Sequence, residues 1–236
     1  MSPRSEAVAL GILGAAAWAA PAPAPVVPAF ARTFKIPLRL EGSNGVAITF
    51  DDGPHPQGTP AVLEALAAAR ATATFFLVGE QVERYPAVAA EIAAAGHEIA
   101  LHGYRHTLLL RRSPRGLADD LDRAAAAIQD ATGHAPSAYR PPYGVFSSHA
   151  LRLVRLRGWA PLLWSHWGHD WGANDLPTQI VERATTGLEP GDVVLLHDAD
   201  HYSAPGSWRQ TAAALPSILD AVAAIGAPCV AVTQST

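Results

Sequence analysis

The chain has 236 residues, of which 49% are hydrophobic and 16% charged, and its formal net charge at pH 7 is −4. This length and composition suit one globular α/β domain with a full hydrophobic core and are short for two such domains. The acidic balance and the lack of a basic stripe argue against nucleic acid as a partner, and the single cysteine, Cys229, excludes a disulfide within the chain.

The first predicted element is an apolar stretch over residues 7–20, which Arg4 precedes and the Pro-rich run "PAPAPVVPAFA" follows. The stretch is short for a membrane span and is typical of the apolar part of a signal peptide, with Ala17-Trp18-Ala19 as the cleavage site. A short Ala-rich helix with a linker is the alternative. We expect residues 1–40 to be a signal-like or membrane-proximal segment with a Pro-rich linker, and residues 41–236 to form the folded domain. The protein would then be exported or membrane-proximal, with a cytoplasmic location still open.

From about Gly45 onward, short apolar runs alternate with amphipathic segments that begin at a capping residue or a proline. This alternation predicts βαβ units and a parallel sheet covered on both faces. No glycine-rich phosphate loop follows the first strand, which disfavours a dinucleotide-binding sheet. We expect a closed or nearly closed (β/α) barrel in a single domain, with an open doubly wound sheet as the alternative. The predicted strands cover residues 46–50, 72–78, 98–101, 138–140, 161–164, 192–196 and 227–232, and the predicted helices begin at residues 59, 86, 113, 148, 177 and 207.

Polar side chains follow most of these strands at the point where each strand ends. The carboxyl ends of the strands in a parallel barrel form one rim, which is where barrel enzymes place their active sites. Chance would scatter such residues over both ends of the barrel. The residues concerned are Asp51 and Asp52, His102 and His106, Arg140, Asp170, His197 and Asp198.

The two histidines of "LHGYRH", His102 and His106, have a spacing that occurs in zinc sites. Two histidines alone often decorate a surface turn, but an aspartate on the same rim completes a set of three ligands. Three protein ligands with an open position are typical of catalytic zinc, although cobalt, manganese or iron accepts similar ligands. One acid of the Asp51–Asp52 pair would then bind the metal, and the other would take a proton from water.

Three further rim residues have matching chemistry. Arg140 could hold the base carboxylate through a two-pronged hydrogen bond, or form a purely structural salt bridge. Tyr143 could offer its backbone N–H to a developing oxyanion. His197, oriented by Asp170, could protonate a leaving amine, or be a histidine at the edge of the core that is held there for stability.

Five short motifs resemble, in order, those of the polysaccharide deacetylases, the NodB-homology family of carbohydrate esterase family 4. They are "TFDDGP" at residues 49–54, "HGYRH" at 102–106, "RPPYG" at 140–144, "HDW" at 169–171 and "LLH" at 195–197. The resemblance implies an irregular (β/α)7 barrel and makes residues 41–236 a catalytic domain. It also implies a carbohydrate substrate and metal-dependent removal of acetyl groups, by hydrolysis of a carbon–nitrogen bond that is not a peptide bond.

The resemblance also assigns roles to individual residues. It makes Asp51 the expected base and Asp52 the expected metal ligand, beside His102 and His106. It places Pro142, Trp171 and Leu195 with Tyr143 around the substrate. Two positions depart from the family pattern: Gly103 stands where a hydroxyl residue is usual, and Trp167 replaces an aspartate that many members have.

Other functions fit the same residues. The same machinery would serve an O-acetyl esterase or an amidase that acts on a non-sugar C–N bond. A non-catalytic carbohydrate-binding barrel, or a scaffold whose rim charges only form salt bridges, belongs to another class. The residues do not distinguish chitin-like chains, peptidoglycan, xylan and lipid-linked sugars as substrates.

Overall fold

The computed structural model describes residues 12–233, and within them a curled parallel sheet of seven strands forms the centre of the fold. The strand order is β5-β4-β3-β2-β1-β7-β6, so β5 and β6 are the two edges. This confirms the predicted parallel (β/α)7 barrel, in an irregular form that is open along one seam. The strands are β1 Ala47–Asp51, β2 Thr74–Leu77, β3 Glu98–Leu101, β4 Ala138–Tyr139, β5 Ala160–Pro161, β6 His166–Trp167 and β7 Val193–His197.

Helices connect the strands and cover the sheet. The longest begins after Ser113, whose side chain accepts a hydrogen bond from the N–H of Gly116, and ends at Gly133 with φ of 74°. Both caps follow from the sequence, because Ser satisfies the free N–H groups and Gly adopts the left-handed conformation without strain. From residue 28 onward, the helices are α1 Pro28–Thr33, α2 Gly58–Ala69, α3 Gly79–Arg84, α4 Pro86–Ala94, α5 Pro114–Thr132, α6 Ser148–Leu156, α7 Pro177–Thr185 and α8 Trp208–Ala224, with 3-10 turns at Leu109–Arg111 and Pro142–Gly144.

The central strand β1 is hydrogen-bonded to β2 on one side and to β7 on the other. All five of its residues are buried, as expected for a parallel strand covered on both faces. The register pairs Asp51, the last residue of β1, with His197, the last residue of β7. Neighbouring strands lie about 4.8 Å apart. The register therefore brings a carboxylate and an imidazole together at the carboxyl end of the sheet.

The seventh strand predicted from the sequence, over residues 227–232, is wrong. In that run Cys229 forms only an isolated bridge, to Val46. Pro228 has no N–H to donate, and the N–H of Val232 donates to side-chain oxygens, of Glu98 at 2.7 Å and of Thr74 at 3.2 Å, instead of to a strand. The seventh strand of the sheet is instead β6, which pairs with β7.

The open seam between β5 and β6 is covered by residues 36–40. Leu163, two residues after β5, donates its N–H to the carbonyl of Pro37 at 3.0 Å. Leu40 donates to the carbonyl of Gly191, two residues before β7, at 2.7 Å. These contacts also shorten the strand predicted over 161–164, because the backbone of Leu163 pairs with this segment. Part of the expected linker thus lies against the sheet.

The signal-like stretch over residues 7–20 is described only from residue 12 onward. Its residues up to 11 lie outside the described residues, and residues 12–19 are helical. Within that helix the indole N–H of Trp18 donates to the carbonyl of Leu110 at 3.2 Å. From residue 12 to residue 233, no helix combines the length and the apolar composition needed to cross a membrane.

We expect the segment that covers the seam to contribute to folding. Ile36 is 3% exposed within the core, whereas Val26 is 71% exposed. Ile36→Ala should lower the free energy of unfolding by about 2–5 kcal/mol, since it leaves a cavity, while Val26→Ala should change it by less than about 0.5 kcal/mol. Urea denaturation measures both values. Equal and small effects would mean that residues 36–40 do not belong to the core.

Candidate metal centre and active site

A cavity of about 300 Å³ opens at the carboxyl ends of the strands. A larger hollow of about 950 Å³, lined mainly by residues 28–42, contains none of the predicted site residues. Among the predicted site residues, Arg140 and Asp170 are buried behind the wall of the active-site cavity and do not line it. Pro142 is also buried, next to Tyr143, which does line the cavity. The lining residues are Asp51, Asp52, His102, His106, Tyr143, Gly144, Trp164, Trp167, Trp171, Leu195, His197, Tyr202 and Ser203.

Three of the lining residues form a group that can hold a metal ion. Asp52 directly follows β1, and His102 and His106 come from the loop after β3. Asp52 Oδ1 lies 3.3 Å from His106 Nε2 and 3.5 Å from His102 Nε2. The three ligand atoms lie within 4.8 Å of one another, so one small cation can contact all three.

The residues present fit a divalent cation. Asp52 Oδ1 is buried and has no hydrogen-bond partner among residues 12–233, which is costly for a carboxylate unless a charge compensates it. Burial raises the pKa of Asp52 to about 7. His102 Nδ1 lies 2.8 Å from the carbonyl of Arg140. Because a carbonyl only accepts, Nδ1 carries the proton and Nε2 keeps its lone pair for the metal. Two imidazoles and a carboxylate suit zinc and similar ions.

The second aspartate has a protein cation as its partner. Arg140 Nη1 donates to Asp51 Oδ1 at 2.7 Å and to Thr49 Oγ1 at 2.9 Å, and the whole arginine is buried. Asp51 Oδ2 instead faces the metal ligands, 3.8 Å from His102 Nε2. The predicted two-pronged bond is wrong, because Nη2 of Arg140 donates to the carbonyl of Leu163 at 2.8 Å. One oxygen of Asp51 is therefore hydrogen-bonded to Arg140, and the other faces the cavity.

His197 and Asp170 form a hydrogen-bonded pair on the other side of the cavity. His197 Nδ1 lies 2.8 Å from Asp170 Oδ1. Asp170 Oδ2 accepts from the backbone N–H of His197 at 2.8 Å and from the hydroxyl of Thr211 at 2.7 Å. Burial alone would lower the pKa of His197, but the charge and hydrogen bond of Asp170, together with Asp52 and Asp51, raise it to about 10. His197 is therefore protonated at neutral pH.

Asp198 packs against the turn that follows the two aspartates. The sequence predicts that Asp198 lies on the rim but assigns it no role. Asp198 is buried, and the Thr59 hydroxyl donates to its Oδ2. A Cβ on Gly53 would come within 2.7 Å of the carboxylate oxygens of Asp198, so this position of the "DDGP" turn has room only for glycine. Neither Thr59 nor Thr211 carries a signal in the sequence, since each lies far along the chain from its aspartate partner.

Aromatic side chains extend the cavity to one side. Trp171 is 39% exposed, and its ring centroid lies 5.7 Å from that of Trp167. Trp164 is largely buried against Trp167. Beyond Trp171 lies a second hollow of about 580 Å³, which is lined by His169 and Arg183 as well as by Trp167 and Trp171. Trp171, which the family resemblance places near the substrate, is therefore partly exposed to solvent next to the site.

Comparison with known proteins agrees with this site. The polysaccharide deacetylase family model matches residues 41–161. A chitooligosaccharide deacetylase from Bradyrhizobium sp. (strain ANU 289) is 37% identical over 160 residues, which are 67% of this chain and 73% of that protein. A peptidoglycan-N-acetylglucosamine deacetylase from Bacillus cereus (strain ATCC 14579) is 35% identical over 177 residues, which are 74% of this chain and 79% of that protein.

A solved structure extends the likeness to the fold. The structure of a peptidoglycan N-acetylglucosamine deacetylase in complex with 4-naphthalen-1-yl-N-oxidanyl-benzamide matches with a TM-score of 0.80 at 27% identity, covering 87% of this chain and 95% of that one. The family model, the relatives and the fold agree with the five motifs at the strand ends. The chain therefore belongs to the polysaccharide deacetylase family, hydrolases that act on carbon–nitrogen bonds other than peptide bonds.

Proposed function

We propose that the chain is a metal-dependent hydrolase that removes acetyl groups from N-acetylated sugar units of a glycan. One observation carries the proposal: the buried, unpartnered Oδ1 of Asp52 lies with two histidine nitrogens in the cavity that Asp51 and His197 also line. A metal site, a base and an acid thus share one cavity. The relatives' names, which specify chitooligosaccharide and peptidoglycan N-acetylglucosamine, support an N-acetyl sugar as the substrate class.

Asp52, His102 and His106 would hold the cation, with zinc as the first choice and cobalt, manganese or iron as alternatives. A divalent cation bound there lowers the pKa of a water molecule and polarises a carbonyl. Asp51 Oδ2 then accepts the proton of the attacking water, while the hydrogen bond from Arg140 to Oδ1 holds the carboxylate in place. The two acids therefore divide the work between metal binding and proton transfer.

His197 completes the reaction as the acid. Its Nε2 gives a proton to the leaving nitrogen as the C–N bond breaks, and the sugar amine and acetate are released. Asp170 and Thr211 keep the Nδ1 proton and the ring orientation fixed. The backbone N–H of Tyr143, whose φ is 61°, is proposed as an oxyanion donor. Leu195 and Trp171 supply apolar walls for the acetyl methyl group.

Residues 41–236 would be the catalytic domain, with residues 36–40 packed against its sheet. The apolar N-terminal stretch would direct export or keep the protein near a membrane. An O-acetyl esterase and an amidase that acts on a non-sugar substrate are the alternatives closest in mechanism. Both would use the same site residues, and they differ from the proposed reaction mainly in the leaving group.

We expect the protein to release acetate from N-acetyl chito-oligosaccharides in a metal-dependent way. Removal of the metal with a chelator should abolish release, and stoichiometric zinc or cobalt should restore it, because Asp51 and His197 alone leave the carbonyl unpolarised. Acetate assay and elemental analysis on one sample test both points. Turnover by metal-free protein would contradict the mechanism, and bound metal without turnover on any acetylated glycan would favour a carbohydrate-binding role.

We expect His197 to matter more for amides than for esters, since an amine leaves poorly without a proton. His197→Ala should lower N-deacetylation by about 10²–10⁴-fold and O-deacetylation by less, while exposed His134→Ala serves as the matched control. Equal losses on both substrates would contradict the role of His197 as the acid.

The same role predicts a pH dependence. Because the charge and hydrogen bond of Asp170 raise the pKa of His197 well above its usual range, activity that needs the protonated ring should persist at neutral pH and fall at alkaline pH. Asp170→Asn removes the main charge that raises this pKa, so the alkaline limb of kcat/KM should move to lower pH. A pH–rate profile that is unchanged in Asp170→Asn would show that the pair is only structural.

A further inference from the structure

The two histidines of the metal centre are held in different ways. His102 donates its Nδ1 proton to the carbonyl of Arg140 at 2.8 Å, the usual way in which a protein orients a metal-binding imidazole. His106 Nδ1 is buried, and its one backbone contact is with its own residue, so no other residue of the described chain holds this nitrogen. The contacts that relate the His106 ring to the rest of the site are therefore those that neighbouring side chains make with the ring.

That contact is made by Tyr202, in the loop between β7 and α8. Its ring stacks on the imidazole of His106 with a centroid distance of 4.4 Å and an interplanar angle of 12°. Tyr143 meets the same imidazole edge-on, at 4.5 Å and 66°, but Tyr143 is 60% exposed. Offset stacking and edge contacts between rings are favourable. Together they restrict the tilt of the His106 ring in two directions.

The Tyr202 ring is itself anchored. Its hydroxyl donates to Glu80 Oε1 at 2.7 Å and accepts from Gln81 Nε2 at 3.0 Å. Both partners lie at the start of α3, which the sequence did not predict. The same helix start is bonded to the ligand loop, since the N–H groups of Gly79 and Glu80 donate to the carbonyls of Gly103 and Tyr104 at 2.9 Å each. The tyrosine and the histidine it holds are thus fixed to one rigid unit.

We infer that Tyr202 is a positioning residue of the metal centre: its anchored ring orients His106 for ligation, in place of a hydrogen bond from Nδ1 to another residue. The inference rests on the proposed metal-dependent function. The chain links this residue to the acid as well, because His197 ends β7, Tyr202 lies in the loop that follows, and both line the same cavity. The end of β7 and the loop after it therefore contribute to both halves of the site.

The test is the dissociation constant for zinc, measured by competition with a chromophoric chelator. Tyr202→Ala should weaken zinc binding by about 10–100-fold, the range for lost outer-shell support of a metal ligand. Tyr202→Phe keeps the stacked ring and should bind zinc much closer to the native affinity. Tyr85→Ala is the matched control, since the Tyr85 ring stacks on the neighbouring His201 at 6.0 Å and should leave zinc binding unchanged.

Folding is controlled separately. Tyr202→Leu retains bulk but not a flat ring, and should weaken zinc binding as Tyr202→Ala does, while thermal unfolding of the metal-free proteins checks that each variant is folded. Native zinc affinity in Tyr202→Ala or Tyr202→Leu would overturn the inference, as would an equal loss in Tyr85→Ala. Zinc binding that depends on Tyr202 without acetate release would instead contradict the proposed function alone. A native protein that binds none of zinc, cobalt, manganese and iron would overturn both.

Discussion

The buried guanidinium of Arg140 is the interaction on which the rest of the site depends. Its side chain joins two segments that are distant from each other in sequence: strand β1, through Asp51 and Thr49, and the segment after β5, through the carbonyl of Leu163. Its own carbonyl accepts the proton that sets the tautomer of His102. A fully buried charge is costly unless it is paired and hydrogen-bonded. The fold around Arg140 therefore has little freedom, and the base and one metal ligand are fixed by a single residue.

The adjacent acids differ because only one of them has a cation supplied by the protein. Asp51 is neutralised by Arg140, whereas Asp52 Oδ1 faces two imidazole nitrogens and is buried without a partner in the described chain. Two carboxylates next to each other in the chain repel when both are charged. An added cation at Asp52 relieves that repulsion while leaving Asp51 free at Oδ2. The division of roles is thus built into the two charge environments.

Much of the site could be predicted from the sequence, because its residues come in short motifs at the ends of apolar strands, and parallel strands share one rim. The pairing of Asp51 with His197 follows from the same register. The hydrogen-bond geometry within the rim could not be predicted. Arg140 donates to Asp51 through Nη1 alone, because its Nη2 donates to the carbonyl of Leu163. Tyr202 and Thr211 reach the site through contacts across the fold, which leave no local pattern in the sequence.

In the fold, as in the site, features set by neighbouring residues in the chain could be predicted, whereas features set by contacts across the fold could not. Both ends of helix α5 coincide with local signals, a serine cap before Pro114 and a glycine after Thr132. Strands β5 and β6 have two residues each, too few to show a period, so the strand order could not be derived from the alternation. The cover of the seam by residues 36–40 depends on contacts with residues more than 100 positions away, and a Pro-rich composition alone suggested a linker.

The unequal roles of the two aspartates are tested most directly by zinc content and acetate release measured on the same preparations of Asp51→Asn and Asp52→Asn, with exposed Asp119→Asn as the control. We expect Asp51→Asn to keep about one zinc per chain, as one metal centre requires, and to lose nearly all turnover, and Asp52→Asn to lose the zinc together with turnover. Full turnover in Asp51→Asn, or retained zinc in Asp52→Asn with loss of zinc in Asp51→Asn, would contradict this division of roles.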